Sequence, residues 1–97
     1  MKMYYVIIIG AGPAGISAGI YAVSRGQKSL ILEKNQVGGL IRKVSAVTHY
    51  AAIVEGETGE SFAKRLRKQA ENAGVEILKT EVKKVELTWV EKRIYTE

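Results

Sequence analysis

The chain has 97 residues, 46% of them hydrophobic, with a formal net charge of +5. That length is one small domain able to bury a core, and the positive balance suits an anionic ligand as well as an ordinary soluble surface. The absence of cysteine excludes disulfides, thiolate metal sites and a redox dithiol within this sequence, and a single histidine excludes a multi-histidine metal centre.

Residues 4–9 (YYVIII) are apolar on both faces and β-branched, which predicts a fully buried strand stopped by Gly10. Residues 14–25 read as a helix ending at Gly26. Residues 29–33 (SLILE) predict a second buried strand. Two buried strands joined by one helix form a βαβ unit, with parallel pairing and a right-handed crossover. Residues 3–24 carry no charge and span the length of a membrane helix. Four glycines and Pro13 interrupt that stretch, so neither a membrane span nor a secretory leader is expected, and the chain is placed in a reducing, cytoplasmic compartment.

Residues 35–57 are irregular, with a short helical turn expected over 40–44. A connection of this length in a compact domain points to function. Residues 58–73 form an amphipathic helix, with Phe62, Leu66, Gln69, Ala70 and Ala73 on the buried face and Thr58 as N-cap. Glu57 and Glu60 suit the positive end of its dipole. Gly74 ends it, and residues 75–78 predict a third parallel strand. Residues 82–90 and 93–96 alternate as an antiparallel hairpin turning at Glu91 and Lys92. The expected fold is α/β: a Rossmann-like parallel sheet of the three-layer FAD/NAD(P)-binding type with an antiparallel β-hairpin.

Gly10-Ala-Gly12-Pro-Ala-Gly15 matches G-x-G-x-x-G between a predicted strand and a predicted helix. That context makes the spacing informative. Gly10 permits a tight turn, Gly12 lets a pyrophosphate approach the backbone, and Gly15 lets helix and strand pack closely, a packing that Ala18, Gly19 and Ala22 continue. Pro13 suits the first helical turn, and the free N–H groups with the helix dipole face an anion. Glu33 ends the second strand, where a carboxylate accepts ribose hydroxyls and repels a 2′-phosphate. The spacing by itself does not choose between FAD and NAD, so a nucleotide-binding module without turnover, or the NAD domain of a dehydrogenase, stays open at this point.

The stretch VIIIGAGPAGISAGIYAVSRG resembles the amino-terminal FAD fingerprint of the thioredoxin reductases, a branch of the pyridine nucleotide–disulfide oxidoreductases. The likeness continues through LILEK, VGG, EGETGESFAKRLRKQAENAGVEIL and TEVKKVEL. The resemblance implies that Gly10, Gly12, Pro13, Ala14 and Gly15 hold the FAD pyrophosphate and that Glu33 holds the adenosine ribose, with Lys34 beside it. Gly38, Gly39 and Leu40 border the flavin end, and Val82 meets the adenine through its backbone. It further implies an enzyme in which a reduced donor, NAD(P)H bound by another domain, reduces FAD, which reduces a cysteine pair and through it a thioredoxin-like protein.

The sequence departs from that pattern at two places. Leu40 follows Gly39 where the family has Gln, and His49-Tyr50-Ala51-Ala52 stands where the family has an Asn-Tyr-Pro-Gly type run. The redox Cys-x-x-Cys, the NADPH fingerprint and the carboxy-terminal FAD segment lie beyond position 97 in such enzymes. Residues 1–97 are therefore expected to be a partial FAD-binding domain with no catalytic residue and no metal ligand of its own, prone to homo-oligomerise through an open sheet edge. His49 reads as a surface residue, and Trp89 and Tyr95 as packing residues. The basic run 64–68 reads as a solvated helix face without a nucleic-acid partner.

Overall fold

The computed structural model describes residues 2–48, 50–88 and 91–97. His49, Trp89 and Val90 lie outside the described residues. The elements run β1 (Val6–Ile9), α1 (Pro13–Ser24), β2 (Ser29–Glu33), a 3₁₀ turn (Gly39–Lys43), α2 (Gly59–Ala73), β3 (Glu76–Lys79), β4 (Val82–Leu87) and β5 (Lys92–Thr96). Strands β1, β2 and β3 form a parallel sheet with β2 in the centre, and β4 and β5 form a separate antiparallel ribbon. The expected α/β architecture is present.

Side chains alternate across the sheet, and the register sorts them into two layers. Ile8, Ile31 and Ile77 are aligned across the three strands, and all three join the core beneath the helices with Ile16, Phe62, Leu66 and Val75. The alternate rows, Ile7 with Leu30 and Ile9 with Leu32 and Leu78, occupy the other face. There Ile7, Leu30, Leu32 and Leu78 share a cavity of about 530 Å³ with Ile94 and Thr96 of β5. Helices, parallel sheet and hairpin are thus three successive layers.

Three expectations are corrected. The strand β1 starts at Val6 and is only half-buried, with Ile9 56% exposed. Its apolar run belongs to an outer strand, so full burial is reserved for central β2. On α2 the buried face holds Phe62, Ala63, Leu66 and Ala70, while Gln69 is exposed. That helix packs against α1 and the 3₁₀ turn, which rotates its inner face towards Ala63. Ala18 of α1 is exposed as well, whereas Gly19 is the point of close contact: a Cβ there would lie 2.8 Å from Ile31 Cδ1.

Helix ends follow local chemistry. Thr58 caps α2 in a capping box with Ser61, and Gly74 closes it at a φ of 83°. Glu57 does more than face a dipole. It is buried, accepts from the Ser61 hydroxyl and pairs with Arg65. These contacts, the Ser61 hydrogen bond foremost and the Arg65 guanidinium next, hold its carboxyl below the ordinary value despite burial. Its partner in the dipole argument, Glu60, instead pairs with Arg42 of the 3₁₀ turn. Among the described residues no helix is long and apolar enough to cross a membrane.

Candidate functional site

The turn from β1 into α1 is built by three glycines with three different physical requirements. Gly10 sits at φ 106°, a left-handed conformation that disfavours any side chain. Gly15 is needed for packing, because a Cβ would lie 2.1 Å from the Gly10 carbonyl oxygen. Gly12 has neither constraint. Its backbone is extended, with φ −76° and ψ −176°, and the nearest atom to an added Cβ is the Gly38 carbonyl oxygen at 4.0 Å. The fold would accept a side chain at Gly12, and the glycine keeps the backbone open to whatever approaches from outside.

Pro13 occupies the first turn of α1, and no side chain caps its N-terminus. The Gly12, Ala14 and Gly15 N–H groups make no hydrogen bond among the described residues. Ala14 is exposed at this end. Orphan donors and the positive end of a helix dipole suit an anion, as helix N-termini generally do.

Glu33 fixes the turn from the side. One carboxylate oxygen accepts the Ala11 N–H at 2.8 Å and the other accepts the Asn35 N–H at 2.9 Å. A carboxylate has about four acceptor positions, so two remain for hydroxyl donors. Behind it, Ala11 accepts the Gly38 N–H at 2.7 Å, which ties the second glycine pair to the first. Gly38 stands at φ 103°, with a hypothetical Cβ 2.6 Å from Ala63 Cβ, and Gly39 at φ 55°.

Two clefts meet at Glu33. The first, of about 350 Å³, is lined by Gly10, Glu33, Lys34, Glu81 and Val82 among others. The second, of about 720 Å³, holds Glu33, Lys34, Gly39, Leu40, Arg42 and Lys79. The eleven residues singled out from the sequence therefore fall around one carboxylate. Gly10, Glu33, Lys34 and Val82 share the first cleft, and Gly39 and Leu40 join Glu33 and Lys34 in the second. Gly12, Pro13, Ala14 and Gly15 form the adjoining helix start, and Gly38 is buried behind them.

Sequence reading missed Ala11, Thr80 and Glu81. Ala11 is fully buried and bridges Glu33 and Gly38 through its backbone, a role that its place between two glycines hints at. Thr80 donates its N–H to the Glu33 carbonyl at 2.9 Å, and its signal is its position just after the third strand. Glu81 places a second carboxylate on the wall of the first cleft. A hydrogen bond from Lys83 and its charge, with Lys34 further off, hold Glu81 below the ordinary carboxyl value. Such a wall suits sugar hydroxyls and a neutral base and repels a phosphate. The start of α1, with its free N–H groups, is the end suited to an anion.

Comparison with known proteins gives the family and the fold. The sequence profile of the pyridine nucleotide-disulphide oxidoreductase family matches residues 7–63. The thioredoxin reductase of Aquifex aeolicus (strain VF5) is 35% identical over 95 residues, covering 98% of this chain and 29% of that protein. That of Rickettsia bellii (strain RML369-C) is 37% identical over 83 residues, covering 86% of this chain and 27% of its own length. The crystal structure of Lactococcus lactis thioredoxin reductase superposes with a TM-score of 0.91 at 32% identity, over 98% of this chain and 31% of that one. The T. acidophilum thioredoxin reductase gives a TM-score of 0.86 at 33% identity, over 96% and 30%. The chain thus spans a little under a third of the relatives it matches. With the glycine turn, the Glu33 clamp and the three-layer sheet all inside or beside the matched region, this chain belongs to the pyridine nucleotide-disulphide oxidoreductase family.

Proposed function

We propose that this chain is the FAD-binding part of a thioredoxin reductase-like oxidoreductase. The observation that carries the reading is Gly12, whose lack of a side chain neither backbone conformation nor internal packing requires. A pyrophosphate lying against the backbone requires it. In this reading the N–H groups of Gly12, Ala14 and Gly15 hold the pyrophosphate, with Gly10 and Pro13 shaping the turn. The free acceptor positions of Glu33 take the adenosine ribose hydroxyls, with Lys34 beside them and the Val82 backbone at the adenine. Gly38, Gly39 and Leu40 border the flavin half. The free N–H donors at the start of α1 and the open acceptor positions of Glu33 suit the pyrophosphate and ribose in placement and charge.

Bound FAD would supply the electron transfer, from a reduced donor towards a protein disulfide. This chain contributes grip and orientation, since it has no cysteine to serve as the redox pair. In the whole protein NAD(P)H would bind to another domain and a thioredoxin-like protein would be the disulfide partner. The cysteine-free sequence supports a cytoplasmic setting. Strands β1 and β3 are the edges of the described parallel sheet, and an unpaired strand edge favours pairing with another chain, which supports homo-oligomerisation; light scattering tests it, and a monodisperse monomer would contradict it.

The same cysteine-free sequence favours, as a second reading, a nucleotide-binding module without turnover. Titration of the purified chain with FAD, NAD and NADP, followed by flavin fluorescence and calorimetry, tests both. FAD preferred over NAD, with NADP weakest and binding lost in Gly12→Val, is the expected result. Preference for NAD sinks the flavin assignment. Disulfide reduction by this chain alone would contradict the account of where the redox pair lies.

A further inference from the structure

A groove of about 450 Å³ runs beside α2, where four segments converge. Asn35 and Gln36 follow β2, Arg42 comes from the 3₁₀ turn, Lys64 and Arg67 from α2, and Lys79 from the end of β3, with the buried Ala63 between them. The described lining carries four cations and no carboxylate. Arg42 pairs with Glu60 and Arg67 with Glu71, both outside the lining. Lys64 and Lys79 are exposed and have no carboxylate partner among the described residues. The basic run 64–68 is therefore not one solvated face: Lys64 and Arg67 border the groove, while Arg65 pairs with the buried Glu57.

Uncompensated positive charge in a concave surface attracts an anionic partner. The free cations are ammonium groups, point charges that suit separate carboxylates, whereas the two guanidinium forks that would grip a phosphate are already engaged by glutamates. No described lining residue is aromatic, so a nucleic-acid single strand has nothing to stack on. The apolar lining residue, Ala63, is fully buried and offers no wedge to a membrane. Asn35 and Gln36 are exposed amides able to bond a polypeptide backbone. We infer that this groove docks an acidic polypeptide, a partner protein presenting neighbouring Asp or Glu side chains, with Lys64 and Lys79 as its charge contacts. Exposed charges of this kind give a weak, salt-sensitive complex. None of the lining residues is assigned to the nucleotide, so the inference goes beyond the FAD reading and does not rest on it.

The probe is a fluorescein-labelled oligoglutamate peptide, followed by anisotropy on the 97-residue chain at low and high salt. An oligothymidine strand and phosphatidylglycerol vesicles serve as competing anions. Wild type is compared with the double variant Lys64→Glu, Lys79→Glu and with Lys2→Glu, Lys92→Glu, which changes net charge equally at exposed positions outside the groove. Circular dichroism checks folding of each. The groove variant is expected to bind oligoglutamate about tenfold more weakly and the control within about twofold, with high salt removing the difference. Should the reversal fail to fold, Lys64→Gln with Lys79→Gln reads the same contacts, with an expected loss of about threefold. An equal loss in groove and control variants shows a response to net charge alone and overturns the inference. So does a folded wild type that ignores oligoglutamate at low salt, or one that prefers the oligothymidine strand or the vesicles.

Discussion

Glu33 Oε1 accepts the backbone N–H of Ala11 at 2.8 Å, across 22 positions of sequence. The bond joins the end of β2 to the middle of the glycine turn, so the carboxylate proposed to meet the ribose also sets the shape of the loop beside it. Removing it acts on structure and on binding together. Glu33→Ala leaves the buried Ala11 donor without a partner and is expected to lower stability by about 1–3 kcal/mol. If the proposed FAD reading holds, FAD affinity should fall at least about tenfold, since the charged hydrogen bonds it assigns to the ribose would be lost too. Urea denaturation and a fluorescence titration read the two effects separately.

Gly12 and Gly15 should respond in opposite ways. Gly15→Ala forces a Cβ to 2.1 Å from the Gly10 carbonyl oxygen, and backbone cannot move aside cheaply. A loss of about 3 kcal/mol is expected, seen as a lower urea midpoint with unchanged slope. Gly12→Ala meets no atom closer than 4.0 Å and should cost about 1 kcal/mol or less, chiefly through weaker capping. It should nevertheless abolish measurable FAD binding. Equal destabilisation by both substitutions would show that Gly12 serves the fold and not a ligand.

Glu57 links stability to pH. Its folded-state carboxyl is held below the ordinary 4.5 by Ser61 and Arg65. A depressed group stabilises the fold above its unfolded value and loses that contribution as pH falls towards and through its folded value. The melting temperature should therefore drop below about pH 4.5. Glu57→Gln should melt lower at neutral pH and show a shallower acid decline. An acid limb of the same steepness in both proteins would assign the effect to other carboxyls.

The N-terminus of α2 offers a local test. The Thr58 hydroxyl accepts the Ser61 N–H at 3.1 Å and the Ser61 hydroxyl accepts the Thr58 N–H at 3.0 Å. Thr58→Ala should cost about 1 kcal/mol. Ser61→Ala should cost more, because it also removes the hydroxyl that Glu57 uses. Chemical denaturation of the two variants decides the order.

Element order, the glycine turn and the Glu33 carboxylate were legible in the sequence because each rests on local chemistry. Apolar period, β-branching, a capping threonine and a glycine after each helix act within a few residues of themselves. The glycine turn beside Glu33 was legible for a related reason: in a βαβ unit the turn after the first strand and the end of the second must lie side by side, whereas Lys34, Gly38, Gly39, Leu40 and Val82 entered only through the family resemblance. Tertiary structure alone decided which strand is central, so that β2 is buried and Ile9 of β1 is exposed. It alone turned Ala63 inward in place of Gln69, buried Glu57 against Arg65 and bridged Glu33 to Gly38 through Ala11. Those outcomes depend on which element lies beside which. The contacts involved span 8 positions for Glu57 with Arg65, 18 for Arg42 with Glu60 and 22 for Ala11 with Glu33. A pattern read along the chain carries no information about such neighbours until the layers have packed.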